Sequence, residues 1–160
     1  MPTNWQPIEV PGRGLLELQH LVLDLNGTIA LDGQVLPGVA ERVAALCDQL
    51  AIYLLTADTR GRGAVTANQL GIQLHRLTPG QEAQQKADFL RALDPAHTAA
   101  VGNGDNDALM LASAELGIAV LGREGLAVAA LQAADLLVPH ITDALDLLLH
   151  PQRLIATLRR

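Results

Sequence analysis

Short apolar runs alternate with helically spaced apolar stripes along almost the whole chain, and few folds accommodate that alternation. The first clear run, His20-Leu21-Val22-Leu23, stops at Asp24 and gives way to Leu25-Asn26-Gly27-Thr28. Runs of this length bounded by turn residues read as buried strands. Val39, Val43, Leu46 and Leu50 then recur at helical spacing, with Ala40, Ala44 and Cys47 widening the stripe. A second strand at 51–55 ends in Thr56-Ala57-Asp58, and a helix at 61–70 is closed by Gly71. A strand at 72–77 follows. The next helix opens at Thr78-Pro79-Gly80, contains Lys86 and is stopped by Asp94-Pro95. Strands at 97–101, 117–121 and 135–138 are separated by helices at 108–115 and 126–134, and a terminal helix from Thr142 is broken at Pro151. Strands alternating with helices demand parallel pairing through crossovers. The expected fold class is therefore α/β, a doubly wound parallel sheet in a single domain over residues 1–160.

Two segments fall outside the alternation. Residues 1–19 carry Pro2, Pro7, Pro11, Gly12 and Gly14 and read as an arm with a short edge strand at Ile8-Glu9-Val10, packed down by Trp5. Residues 29–37 place Asp32-Gly33 between apolar residues, a strong hairpin signal. A small β-flap beside Asp24 is expected there.

Composition narrows the function classes. Apolar residues make up 49% of the 160 and charged residues 18%, which suits a globular core. A formal charge of −6 argues against nucleic acid and gives no reason to expect an anionic membrane surface. No apolar run approaches the roughly 20 residues that span a bilayer, and no basic-then-apolar leader opens the chain. The single cysteine, Cys47, excludes an internal disulfide and reads as helix packing. The expectation is a soluble, cytoplasmic protein. Leu-rich faces late in the chain read first as core, with self-association into a homo-oligomer as their other reading.

Three expected strands end in polar clusters: Asp24 to Thr28, Thr56 to Asp58, and Asn103 to Asp107. In a parallel sheet these ends share one edge, where ligands bind, and Lys86 can reach it. A carboxylate can attack phosphorus and form an aspartyl-phosphate. Phosphoryl oxygens require positive charge and hydrogen-bond donors, which Lys86, Thr56, Ala57 and the loop at Gly27 and Thr28 can supply. Magnesium takes oxygen ligands and keeps several waters; Asp24, Asn26 through its carbonyl, Asn103 and Asp107 are the candidates. Asp105 has two readings, metal ligand or cap of the next helix. Arg60 and Arg62 read as a solvated helix start, or else as contacts to a substrate phosphate. The five histidines lack paired metal spacing, and the segment 122–125 reads as a turn.

Asp24-Leu25-Asn26-Gly27-Thr28, Thr56, Lys86 and Gly102-Asn103-Gly104-Asp105-Asn106-Asp107 resemble the four motifs of the haloacid dehalogenase superfamily. The nearer resemblance is to the phosphorylation domain of P-type ATPases, through Leu54 to Thr59 and Ala108 to Ala119. It covers about residues 20–149. It implies a capless Rossmann-like domain and a Mg²⁺-dependent phosphohydrolase or phosphotransferase working through Asp24 on a phosphorylated substrate. Only residues 29–55 lie between the first two motifs, so the nucleotide-binding domain of a pump has no place and ion pumping is excluded. Phosphatases of the superfamily usually carry Asp two residues after the nucleophile. Here that position is Asn26, whose amide cannot shuttle a proton, and losing such a group typically costs about 10²–10⁴-fold. Asn103 likewise replaces the first acid of the metal loop. The resemblance therefore implies slow turnover, or in the alternative a binding or regulatory module that keeps the fold without the activity.

Overall fold

The computed structural model describes residues 4–160. In chain order the strands are β1 (Ile8–Val10), β2 (Gly14–Leu16), β3 (His20–Asp24), β4 (Ala30–Leu31), β5 (Gln34–Val35), β6 (Ala51–Thr56), β7 (Gln73–Arg76), β8 (Thr98–Gly102), β9 (Leu116–Val120) and β10 (Leu136–Val138). The helices are α1 (Val39–Cys47), α2 (Arg62–Leu70), α3 (Glu82–Leu93), α4 (Ala108–Ser113), α5 (Val128–Ala133), α6 (Ile141–Leu149) and α7 (Pro151–Leu158). Six strands form one parallel sheet in the order β10-β9-β8-β3-β6-β7. Strand order reverses at β3, which lies between β6 and β8. This is the doubly wound α/β fold that the alternation requires.

Successive residues of β3 face opposite layers, as the pleat dictates. Leu21 and Leu23 join the core that contains Val43 of α1, Leu70 of α2, Leu145 of α6 and Leu154 of α7. Val22 faces the second core with Leu90 of α3, Met110 of α4 and Ala130 of α5. Helices on both faces bury the central strands completely, which is why β8 and β9 read as continuous apolar runs without alternation. The break expected at Pro151 is present: α6 ends before His150, and Pro151 starts α7 in the first turn, where its missing N–H costs nothing.

The N-terminal segment differs from expectation in its pairing. β1 is a strand, but its partner is β2 in an antiparallel hairpin of their own, not the edge of the large sheet. β2 is not evident in the sequence because its residues, Gly14-Leu15-Leu16, are too few to show a period. Trp5 is buried, and its indole N–H donates to the Leu148 carbonyl at 2.8 Å, anchoring the arm to the last turn of α6. β4 and β5 form the small flap, turned at Asp32-Gly33. No cap domain interrupts the sheet between the motifs. The carboxyl ends of β3, β6 and β8 bring Asp24, Thr56 and Asn103 to one open edge.

Candidate active site

The organising contact is a buried triad. Lys86, one turn into α3, is 2% exposed. Its Nζ lies 2.8 Å from Asp24 Oδ1 and 2.8 Å from Asp107 Oδ1. A buried ammonium is tolerated only when paired and hydrogen-bonded, and here two carboxylates do both. Burial works against the Lys86 charge, but the two carboxylates outweigh it and raise its pKa above the ordinary lysine value. Asp24 shows the converse. Burial first, and then the neighbouring Asp107 charge, push its carboxyl from 3.8 up to about 7 against the pull of Lys86 and Thr28.

Each side chain is held by a local device. The turn after Asp24 is wound on one carbonyl: the amides of Thr28, Ile29 and Ala30 all point at the Leu25 oxygen, at 3.3, 3.1 and 3.1 Å. Gly27 permits this with φ of 76°. The turn delivers the Thr28 hydroxyl to 3.2 Å from Asp24 Oδ2 and 3.1 Å from Asn103 Oδ1, one proton serving both. Asp107 Oδ2 accepts from the amides of Asn103 and Gly104 at 3.0 and 2.9 Å. Its side chain lies where a Cβ on Gly102 would come within 2.5 Å of its Cγ. Thr56 ends β6 with its hydroxyl accepting from the Asp58 amide at 3.1 Å. Asp58 in turn caps α2, accepting from the amides of Arg60, Arg62 and Gly63 at 3.1, 2.7 and 3.2 Å. These amides, Arg60's foremost, lower its pKa.

Around this edge opens a cleft of about 710 Å³, lined by Asp24, Asn26, Thr56, Ala57, Lys86 and Asn103 among others. Six expected residues are thus brought together. Gly27 and Thr28 are not: they line a separate recess of about 350 Å³ beneath the flap. Thr28 is fully buried with its hydroxyl committed to Asp24 and Asn103. Asp107 is 0% exposed, with both oxygens engaged, so it stands behind Lys86 and does not line the cleft. Asp105 is exposed and neither caps the next helix with its side chain nor reaches the cleft. Arg60 and Arg62 lie by the flap, away from the cleft. His75 stacks on Phe89 with ring centroids 4.4 Å apart, and His97 pairs with Asp94 at 2.8 Å.

Among the polar side chains that line the cleft, the sequence reading gave no site role to Glu82, Asn106 and Glu124. Asn106 Nδ2 donates to Glu82 Oε2 at 3.1 Å, closing one wall between the acid loop and the start of α3. Glu124 sits on the turn Gly122–Gly125, pinned by the Gly125 amide to the Gly122 carbonyl at 3.0 Å. The only signal for it was a glycine-bracketed turn at the ligand-binding edge. Among the described residues no three His, Cys, Asp or Glu side chains gather closely enough to chelate a metal. The oxygens of Asp24, of the Asn103 amide and of the main chain at this edge are a hard donor set that suits a cation keeping most of its water, as Mg²⁺ does.

The haloacid dehalogenase-like hydrolase family matches residues 8–115. The probable cation-transporting ATPase G of Mycobacterium tuberculosis is 42% identical over 131 residues, covering 76% of this chain and 16% of the ATPase. An uncharacterized protein of Methanocaldococcus jannaschii is 52% identical over 60 residues, 38% of this chain and 64% of that one. This chain therefore matches less than two thirds of the length of these relatives, and among its described residues no helix is long and apolar enough to cross a membrane. A solved 3-deoxy-D-manno-octulosonate 8-phosphate phosphatase from Moraxella catarrhalis, in complex with magnesium ion, phosphate ion and KDO, superposes with a TM-score of 0.64 at 15% identity, covering 89% of this chain and 94% of that chain. The family match lies over β3, β6 and β8, whose ends place Asp24, Thr56 and Asn103, and the solved phosphatase shares the fold. The chain belongs to the haloacid dehalogenase-like hydrolase family.

Proposed function

We propose that the protein is a phosphohydrolase or phosphotransferase that works through an aspartyl-phosphate on Asp24. The observation that carries this reading is the triad: a carboxylate at the end of β3, 2.8 Å from a buried ammonium, at the floor of an open cleft. Asp24 attacks phosphorus while Lys86, the Thr56 hydroxyl and the Ala57 amide hold the phosphoryl oxygens. Thr28 fixes the rotamer of Asp24, and Asp107 keeps Lys86 charged and aimed. Mg²⁺ fits the oxygens of Asp24, the Asn26 carbonyl and Asn103; when bound it supplies the positive charge that keeps Asp24 ionised and offsets that of the phosphoryl group. Among the described residues no segment closes over the cleft, which favours a bulky phosphorylated substrate over one that must be enclosed.

Asn26 and Asn103 favour a second reading, a binding or regulatory module that keeps the fold without turnover. Mg²⁺-dependent modification by fluoroberyllate or an acyl-phosphate donor separates them. The native chain is expected to be modified once and an Asp24→Asn variant not at all. Absence of modification in both chains overturns the phosphotransfer reading.

A further inference from the structure

Aspartyl-phosphate chemistry requires a proton twice, and Asn26 cannot carry it. Four carboxylates line the cleft: Asp24, Asp58, Glu82 and Glu124. Three are already engaged. Asp24 is paired to Lys86 and Thr28. Asp58 accepts from three amides at the start of α2. Glu82 accepts from Asn106. Glu124 makes no hydrogen bond or ion pair to any described residue.

Its placement is specific. A Cβ built on Gly27 would fall 2.1 Å from Glu124 Oε2 and 3.0 Å from its Cδ. The carboxylate therefore rests on the main chain of the residue next to Asn26, in space that only a glycine leaves open. The loop beneath it is braced at both ends. Ala127 N donates to the Asn103 carbonyl at 2.9 Å, Asn103 Nδ2 donates to the Gly125 carbonyl at 3.3 Å, and Leu121 N donates to the Val138 carbonyl at 2.9 Å. An exposed carboxylate without a partner, lining the cleft against the residue next to Asn26, is placed to replace the acid missing there.

We propose that Glu124 is the proton-transfer group of this site, a catalytic residue supplied by the loop after β9 in place of the one absent at Asn26. The proposal rests on the Asp24 reading given above. In the first half-reaction an Asp24 oxygen bonds to phosphorus as the bond from phosphorus to the leaving oxygen breaks, and protonated Glu124 gives its proton to that oxygen, leaving an alcohol. In the second, water bonds to phosphorus as the Asp24–phosphorus bond breaks, and ionised Glu124 takes the proton of the water. Phosphate is released, and Asp24 and Glu124 return to their starting states.

The test compares native protein with Glu124→Gln on two substrates, with melting temperatures matched as the folding control. 4-Nitrophenyl phosphate releases an anion that needs no proton, whereas glycerol 2-phosphate releases an alkoxide that does. Glu124→Gln is expected to keep a burst of one nitrophenolate per chain, followed by a steady state about 10²-fold or more below native. On glycerol 2-phosphate it is expected to lose the burst as well. Adding Asn26→Asp to Glu124→Gln is expected to restore the steady state, since the acid returns from the other side. A Glu124→Gln protein with native turnover on both substrates overturns the proposal and leaves the Asp24 reading intact. So does one whose burst and steady state fall together and recover with excess Mg²⁺, the mark of a cation contact. A native chain that fluoroberyllate does not modify and that releases no nitrophenolate overturns the Asp24 reading, and this proposal with it.

Discussion

Asp24 and Asp107 face each other across a single ammonium, each with one oxygen 2.8 Å from Lys86 Nζ. One positive charge thus compensates two negative ones at the buried floor of the cleft. The stability of the protein is tied to the protonation of that pair.

In metal-free buffer the sign follows from Asp24. Its folded pKa, about 7, lies above its ordinary value of 3.8. The folded state therefore binds this proton more tightly than the unfolded state does. The resulting stabilisation is full below pH 4 and is lost as the pH rises through 7. Asp24→Asn removes the titration. At pH 8 in a chelator the variant is expected to be more stable than native, with a ceiling of about 4 kcal/mol. Urea melts at pH 8 and pH 4 check this: the two chains should differ at the first and converge at the second.

Lys86→Met has the opposite consequence. It leaves two buried carboxylates without their cation, and breaking a buried pair costs about 3–5 kcal/mol. The loss is expected in full at high pH and is expected to shrink as the pH falls through 7 and below, where buried Asp24, relieved of the pull of Lys86, takes up its proton. Thermal melts across that range measure it.

Gly102→Ala tests how tightly the acid loop is packed. The new methyl would lie 2.5 Å from Asp107 Cγ, and Asp107 has no free space to yield into. An overpacking cost of about 1–3 kcal/mol is expected, together with loss of modification at Asp24 as Lys86 loses its aim. Fluoroberyllate modification read beside the melting temperature distinguishes a displaced triad from a merely less stable fold.

Trp5→Phe keeps the ring in the core and removes the bond to the Leu148 carbonyl. The last carbonyls of α6 have no partner within the helix, so a buried acceptor is left unpaired at a cost of about 1–2 kcal/mol. A fall in melting temperature of a few degrees is expected, with the site unchanged in fluoroberyllate modification.

The central sheet was legible because β3, β6, β8 and β9 are buried on both faces, and burial on both faces writes itself as an unbroken apolar run. Asp24, Thr56 and Asn103 were legible for the same reason, each standing where a run stops. Lys86 was found by the resemblance together with its place early in a helix. What the sequence hid was direction. Thr28 and Asp107 sit in the right loops, yet their side chains turn inward to hold Asp24 and Lys86, and no spacing rule shows which way a loop side chain turns. Glu124 was hidden because its position depends on how a glycine-bracketed turn after β9 folds back over Gly27, a contact between segments 97 residues apart.

The place of β3 in the sheet also has a bearing on how the chain is made. β3 is the first strand of the large sheet to be synthesised, yet it sits in its middle, paired from Leu21 to Ile52 on one side and to Ala99 on the other. Its apolar residues remain without one neighbour until the chain has grown past β8, so an emerging chain carries a half-covered hydrophobic strand through two helical crossovers. Parallel pairings of this separation form slowly and leave open edges exposed to aggregation. The triad cannot precede them, since Asp107 follows β8. Folding and the assembly of the site are thus a single late event, and a nascent chain stalled before β8 exposes a sticky strand and holds no chemistry.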